Sequence, residues 1–247
     1  MDLKSKVFLK NPRENAGPKT SNRYDFQKDW AICKLIELHQ TNKEYLLCFE
    51  FHDDIIVFDS IDNPKKVNCY QVKTKDTPHW NLSKLTFREK GGKHSILAKL
   101  HQHFEEYGDG VESLNFVTNS KIKGKLSNNF ECVNLGEFTL QDLCAKDLKS
   151  ITDKLSLELN NTDLLRFNEL TVMVMGELDL KHHSQIAKSK LATFIEDTMP
   201  TVKYQIGPFY RTIFDEVKNK TDVEEQAVDF DRLKKLRRYP ALILQSS

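Results

Sequence analysis

The amino-acid sequence predicts an α/β protein: a mixed β-sheet flanked by helices, with a mainly helical C-terminal extension. Three observations carry that reading. Short runs rich in β-branched and aromatic residues recur between residues 45 and 118, and helical apolar periodicity appears before, among and after them. A chain of 247 residues can bury one good core, or one core with an appended part. Charged residues at 30% and hydrophobic ones at 39% are an ordinary globular balance.

Residues 1–20 are polar, carry Pro12, Gly17 and Pro18, and read as an irregular arm whose Arg13 and Lys19 could touch phosphate but are more often merely solvated in such an arm. Ser21 and Asn22 are N-cap types, and Tyr24, Phe26, Trp30, Ile32, Cys33, Leu35 and Ile36 give a helix to about His39 an apolar face that packs on the sheet. Residues 45–51 are nearly continuously apolar and suit a strand buried on both faces. Residues 54–59 and 67–73 are two further strands, and the Asp62, Asn63, Pro64 turn signal between them favours a hairpin. Residues 77–81 read as a loop. A helix begins at Ser95, presents Ile96, Leu97, Leu100 and Phe104 on one face and stops at Gly108; a strand follows over residues 113–118 and a flexible stretch over 121–125. Beyond it, residues 139–159 have helical periodicity, 170–175 form a short strand or a buried segment, and 182–198 and 202–218 are helices separated by Pro200. The expected division is an arm over 1–20, a core over 21–160 and a mainly helical extension over 161–247.

The formal net charge of +1 excludes a histone-like polycation, so nucleic-acid binding would need a local basic patch. The five cysteines, Cys33, Cys48, Cys69, Cys132 and Cys144, lie far apart without Cys-x-x-Cys spacing, which argues against a zinc ribbon or a disulfide scaffold. No run approaches the ~18 apolar residues of a membrane span, and residues 1–6 lack an apolar leader core, so a soluble cytoplasmic protein is expected.

Folding the expected hairpin about Asn63 sets Asp54 across from Gln71 or Lys73, and strand alternation puts Gln71 and Lys73 on one face. A carboxylate and an amide oxygen are hard donors suited to Mg²⁺, and a nearby lysine can hold a phosphate or position a water. Together they are equipment for metal-assisted phosphodiester hydrolysis. The same alternation also describes any sheet with one wet face, so the pattern by itself does not choose.

The order of elements, with Asp54 opening one strand and Gln71, Val72 and Lys73 in the next, resembles the restriction-endonuclease-like, PD-(D/E)xK nuclease fold. The blocks at residues 13–17, 22–31, 50–54 and 70–75 are similar to the double-stranded-DNA endonuclease domain of bacterial anti-phage effectors. That family occurs fused to a cyclic-oligonucleotide sensor in CBASS defence and serves as the nuclease subunit of Lamassu-type systems. The resemblance spans roughly residues 12 to 75 and thins out beyond Leu100.

It implies that Asp54 is the metal-binding aspartate, that Gln71 occupies the Glu/Gln position as the second metal ligand, and that Lys73 is the motif lysine, around Mg²⁺ with Mn²⁺ as the alternative ion. Gln27 falls where many members of the fold place an acid or amide near the metal. Asp53 is the rival of Asp54, since alternation sends the two to opposite faces; Asp54 is preferred because it immediately precedes the apolar run. Glu50 is either a second acid or an end-of-strand residue. Glutamine at position 71 is a departure, because a neutral carbonyl holds a divalent ion more weakly than a carboxylate. Arg23, Lys75, Lys84, Arg88, Lys90 and Lys93 are the candidate DNA-backbone cations, and no element for reading bases is visible. The expected partners are double-stranded DNA and a sensor or activator of the same defence system, with an oligomeric active form. A catalytically silent DNA-binding or assembly module of the same fold is the alternative. His182 and His183 read as surface histidines, as do His101 and His103, and Lys234, Lys235, Arg237 and Arg238 as a solvated or partner-facing cluster.

Overall fold

A computed structural model describes residues 21–41, 44–50, 54–88, 92–160 and 162–220. In chain order the elements are α1 (Ser21–Thr41), β1 (Leu46–Glu50), β2 (Asp54–Phe58), β3 (Val67–Lys73), β4 (His79–Asn81), α2 (Leu82–Leu85), α3 (Ile96–Tyr107), β5 (Val111–Thr118), β6 (Lys121–Lys123), β7 (Glu137–Thr139), α4 (Ala145–Glu158), α5 (Leu165–Leu170), β8 (Thr171–Met175), α6 (His183–Thr198) and α7 (Ile206–Lys220). This is a restriction-endonuclease-like α/β fold with mixed strand pairing, flanking helices and a helical C-terminal region, as the sequence predicts. The chain forms two compact units, one from Met1–Lys65 with Leu178–Ser247 and the other from Lys66–Glu177. The expected arm and the basic cluster at Lys234, Lys235, Arg237 and Arg238 lie outside the described residues.

In the first unit, β1 and β2 pair antiparallel from Leu46↔Phe58 to Glu50↔Asp54. The expectation that the strand over 45–51 is buried on both faces is corrected: in β1 Leu47 is buried while Leu46, Cys48 and Phe49 are half-buried, whereas Ile55, Ile56, Val57 and Phe58 of β2 are all buried. Helix α1 packs against α6 and α7. Their shared core joins Ile32 to Ala187, Leu191, Phe194, Ile195, Tyr210, Ile213 and Val217, with Phe49 of β1 packed on it. Each large side chain so buried contributes roughly 1.5–3 kcal/mol.

A polar cluster runs through the same packing. Asp29 is 0% exposed and accepts hydrogen bonds from the Tyr210 hydroxyl and, at 2.5 Å, from the ring of His183. The other ring nitrogen of His183 faces Asn22 Oδ1 at 3.1 Å, and Asn22 donates to the Leu180 carbonyl at 3.1 Å. Burial raises the Asp29 carboxyl above its usual range against the pull of these donors. The surface reading of His183 is therefore corrected. It is 7% exposed because Asp29, 154 positions away, supplies its partner, whereas His182 stays exposed beside Asp179.

In the second unit, β3 pairs parallel with β5, β5 parallel with β8, and β7 antiparallel with β8. Helix α3 packs on β3 and β5. It starts where predicted, with the Ser95 hydroxyl accepting from the Ala98 N–H at 3.3 Å, and stops at Gly108, whose φ of 55° favours glycine. The expected loop at 77–81 and flexible stretch at 121–125 are corrected: β4 and β6 pair parallel. Ile122 is buried between exposed Lys121 and Lys123, an alternation too short to recognise without its partner. The helix expected from residue 139 begins only at Ala145, after β7 and a capping-box turn between Thr139 and Asp142. The five cysteines are free, with Cys69 and Cys132 buried. None of the described helices is long and apolar enough to cross a membrane.

His101 and His103 are likewise buried rather than on the surface. His101 lies between the rings of Phe104 and Phe167, at 5.7 and 5.1 Å, and neither ring nitrogen has a hydrogen-bond partner among the described residues. Burial pushes its pKa below the ordinary 6.5, opposed in part by Glu105. Below pH 6.5 the unfolded chain therefore takes up a proton that the native state refuses, and stability falls as the solution is acidified. Melting curves between pH 8 and 5 are expected to show this loss in the wild type and a shallower one in His101→Phe; parallel curves would refute the assignment.

Candidate active site

Strand β3 carries two of the candidate catalytic residues. Alternation places Val67, Cys69, Gln71 and Lys73 on one face, which is apolar at its start and polar at its carboxyl end. Val67 and Cys69 are fully buried, Gln71 is 1% exposed and Lys73 is half-buried. In the ladder with β5, Phe116 stands beside Gln71 and Thr118 beside Lys73, and both are fully buried.

Within that setting Gln71 Oε1 has no hydrogen-bond partner among the described residues. An orphaned buried carbonyl oxygen costs roughly 1–3 kcal/mol, so packing alone does not account for an amide there. Its donor chemistry, a hard neutral oxygen, fits a divalent cation such as Mg²⁺. Among the described residues no cluster of three or more His, Cys, Asp or Glu side chains is placed to hold a metal.

The remaining candidates are distributed as follows. Asp54 and Glu50 are Cα partners at the end of the β1–β2 ladder, described through their backbones alone. Asp53 and Lys90 lie outside the described residues. Gln27 and Arg23 are half-buried on α1. Lys84 and Lys93 are exposed, with the Lys84 ammonium 4.5 Å from the centre of the exposed Phe87 ring. Arg88 is 54% exposed and lies 3.5 Å from the Glu158 carboxylate. That carboxylate is only 5% exposed and also accepts from the Ser95 N–H at 2.8 Å, which fixes the turn into α3. Lys75 differs from the other cations: its ammonium donates to the His79 carbonyl at 2.8 Å and sits 4.9 Å over the Trp80 ring.

Sequence reasoning overlooked the residues that hold the carboxyl end of β3. The Trp80 indole N–H donates to Thr118 Oγ1 at 2.7 Å, and its ring meets Phe116 edge-on at 5.2 Å. Asn119 and Ser120 bond the backbone around Lys75. Their only local signal is the polar stop that follows the apolar run of β5.

Comparison with known proteins bears on this site. A family model described as "Cap4, dsDNA endonuclease domain" matches residues 15–221. Among curated proteins, the Lamassu protein LmuA of Bacillus cereus (strain VD014) is 31% identical over 127 residues, covering 50% of this chain and 34% of that protein. Among solved structures, the Cap4 SAVED/CARF-domain containing receptor of Acinetobacter baumannii aligns at 11% identity and a TM-score of 0.44, over 86% of this chain and 44% of the receptor. The corresponding receptor of Moraxella osloensis aligns at 11% identity and a TM-score of 0.44, over 82% and 44%. The chain spans less than half the length of each of these proteins.

Proposed function

Because the chain belongs to the Cap4 dsDNA endonuclease domain family, we propose that it hydrolyses duplex DNA in a divalent-metal-dependent reaction, as the effector of an anti-phage defence system switched on by a separate sensor or partner. The observation that carries the metal-dependent reading is the Oε1 of Gln71, which has no hydrogen-bond partner among the described residues, on a buried strand face. Similarity to a Lamassu protein supports the defence role.

Gln71 and, by the resemblance of the block at residues 50–54, Asp54 would hold the ion, Mg²⁺ or Mn²⁺. When bound, such an ion supplies Lewis-acid polarisation of the scissile phosphate. Lys73, two residues further along the same strand face, orients the attacking water and stabilises negative charge on the phosphate. The exposed Lys84, Arg88 and Lys93 take backbone phosphates without reading bases, which makes cleavage weakly specific and strongly salt-dependent. The neutral Gln71 oxygen leaves the bare protein a weak metal binder, with the substrate phosphate completing the site. The active form is an oligomer assembled by the activator.

The test is digestion of linear duplex, circular duplex, single-stranded DNA and RNA with Mg²⁺, with Mn²⁺ or with EDTA, over a series of protein concentrations rising high enough to assemble the oligomer without its activator. Both duplexes are expected to be degraded in Mg²⁺ and to survive in EDTA. Cleavage of RNA alone would reassign the substrate, and duplex binding without cleavage in either metal would leave the silent module. Calorimetry is expected to show Mg²⁺ binding that tightens markedly when duplex is present; tight binding by the free protein would contradict the role given to the phosphate.

A further inference from the structure

The backbone ladder between β3 and β5 ends at the Lys73↔Thr118 rung. Beyond it, side chains take over. Asn119 Oδ1 accepts from the Lys75 N–H at 2.8 Å, and Asn119 Nδ2 donates to the Lys75 carbonyl at 2.9 Å. An amide side chain carries one carbonyl and one amino group, so this residue offers Lys75 the same two bonds that a neighbouring strand would. The Ser120 hydroxyl adds contacts of 3.3 Å to the Lys75 carbonyl and 2.9 Å to the Thr77 carbonyl. The Lys75 ammonium turns back onto the His79 carbonyl and the Trp80 ring, and Trp80 in turn bonds Thr118 and meets Phe116. Those last two residues are the register partners of Lys73 and Gln71.

We propose that Asn119 is a positioning residue for the nuclease reaction: it clasps the backbone two residues beyond Lys73 and so fixes Lys73 and Gln71 at a strand end that would otherwise fray. This rests on the functional reading given above. The side-chain amide is suited to the task because it both accepts and donates at once, which neither a carboxylate nor a hydrocarbon can do. A strand end that has lost its ladder opens locally without unfolding the domain, and a displacement of about 1 Å at reacting groups costs on the order of 10²-fold in rate.

The test compares the full chain with Asn119→Ala and with Asn119→Asp, which keeps the volume and the bond to the Lys75 N–H but loses the donor. Three readings are taken: hydrogen exchange of the Lys75 amide, kcat and KM on duplex DNA, and the thermal melt. In Asn119→Ala the Lys75 amide is expected to exchange faster and kcat to fall roughly 10–100-fold, with KM and the melt little changed. Asn119→Asp should retain most of the Lys75 protection and give an intermediate kcat. An unchanged kcat in Asn119→Ala overturns the proposal, as does a joint fall of kcat, KM affinity and melting temperature in both variants, which would mark a purely structural residue. If the wild type cuts no duplex even at concentrations that assemble the oligomer, the functional reading fails instead. Exchange at Lys75 still decides the clasp, and an unaltered rate in Asn119→Ala would overturn it.

Discussion

Replacing Gln71 by leucine is expected to raise the melting temperature of the protein and to abolish duplex cleavage. The two side chains are close in volume, and the position is 1% exposed beside the fully buried Phe116. Leucine removes an oxygen that has no partner among the described residues, recovering about 1–3 kcal/mol. In a protein of this size each kcal/mol moves the melt by roughly 2–4 °C. Activity is lost because the oxygen that would hold the metal is gone. Calorimetric melts and plasmid digestion on one preparation check both halves. A variant that melts lower would show that Gln71 Oε1 is not an unmet cost, and one that still cuts would show that it is not a ligand. Gln71→Glu probes the same point from the other side. A buried carboxylate without its ion is costly, so this variant should melt below wild type in EDTA and recover with Mg²⁺.

Lys73→Ala is expected to reduce plasmid degradation about 10²–10³-fold while leaving duplex binding in place. Lys73 is half-buried at the carboxyl end of β3, next in register to Thr118, so its loss opens no large core cavity and the melt should shift little. Lys73→Arg should not restore the rate, because a planar guanidinium places its donors differently from a compact ammonium. Cleavage assays with a gel-shift control measure this. Near-wild-type cutting by Lys73→Ala would remove the lysine from the chemistry.

How much of this was legible in the sequence depended on how local the determinant was. The α3 boundaries could be read because Ser95 and Gly108 carry their own capping chemistry, and β3 because its first five residues, Val67 to Gln71, alternate between buried and half-buried. β4 and β6 could not, since three residues do not make a pattern until the partner strand is known. His183 and His101 were misjudged for a similar reason: burial came from Asp29 in one case and Phe167 in the other, both distant in the chain. For the candidate site, the Gln71 and Lys73 face was legible from strand alternation, whereas the exceptional burial of the Gln71 oxygen was not. Lys75 shows the limit of counting charges, because its ammonium serves a carbonyl and an indole ring within the fold.

The pairing of α1 with α6 and α7 bears on the order in which the protein is made. Ile32 and Asp29 leave the ribosome early, but their partners lie between His183 and Val217. The unit spanning Lys66–Glu177 has all of its residues before those partners exist. Domains fold as units during synthesis, so this inner unit can form first while the apolar face of α1 waits for the last described helices. A chain interrupted before α6 would leave that face bare and become a substrate for proteolysis. The packing around Ile32 and Asp29 thus closes only once α6 and α7 have been made.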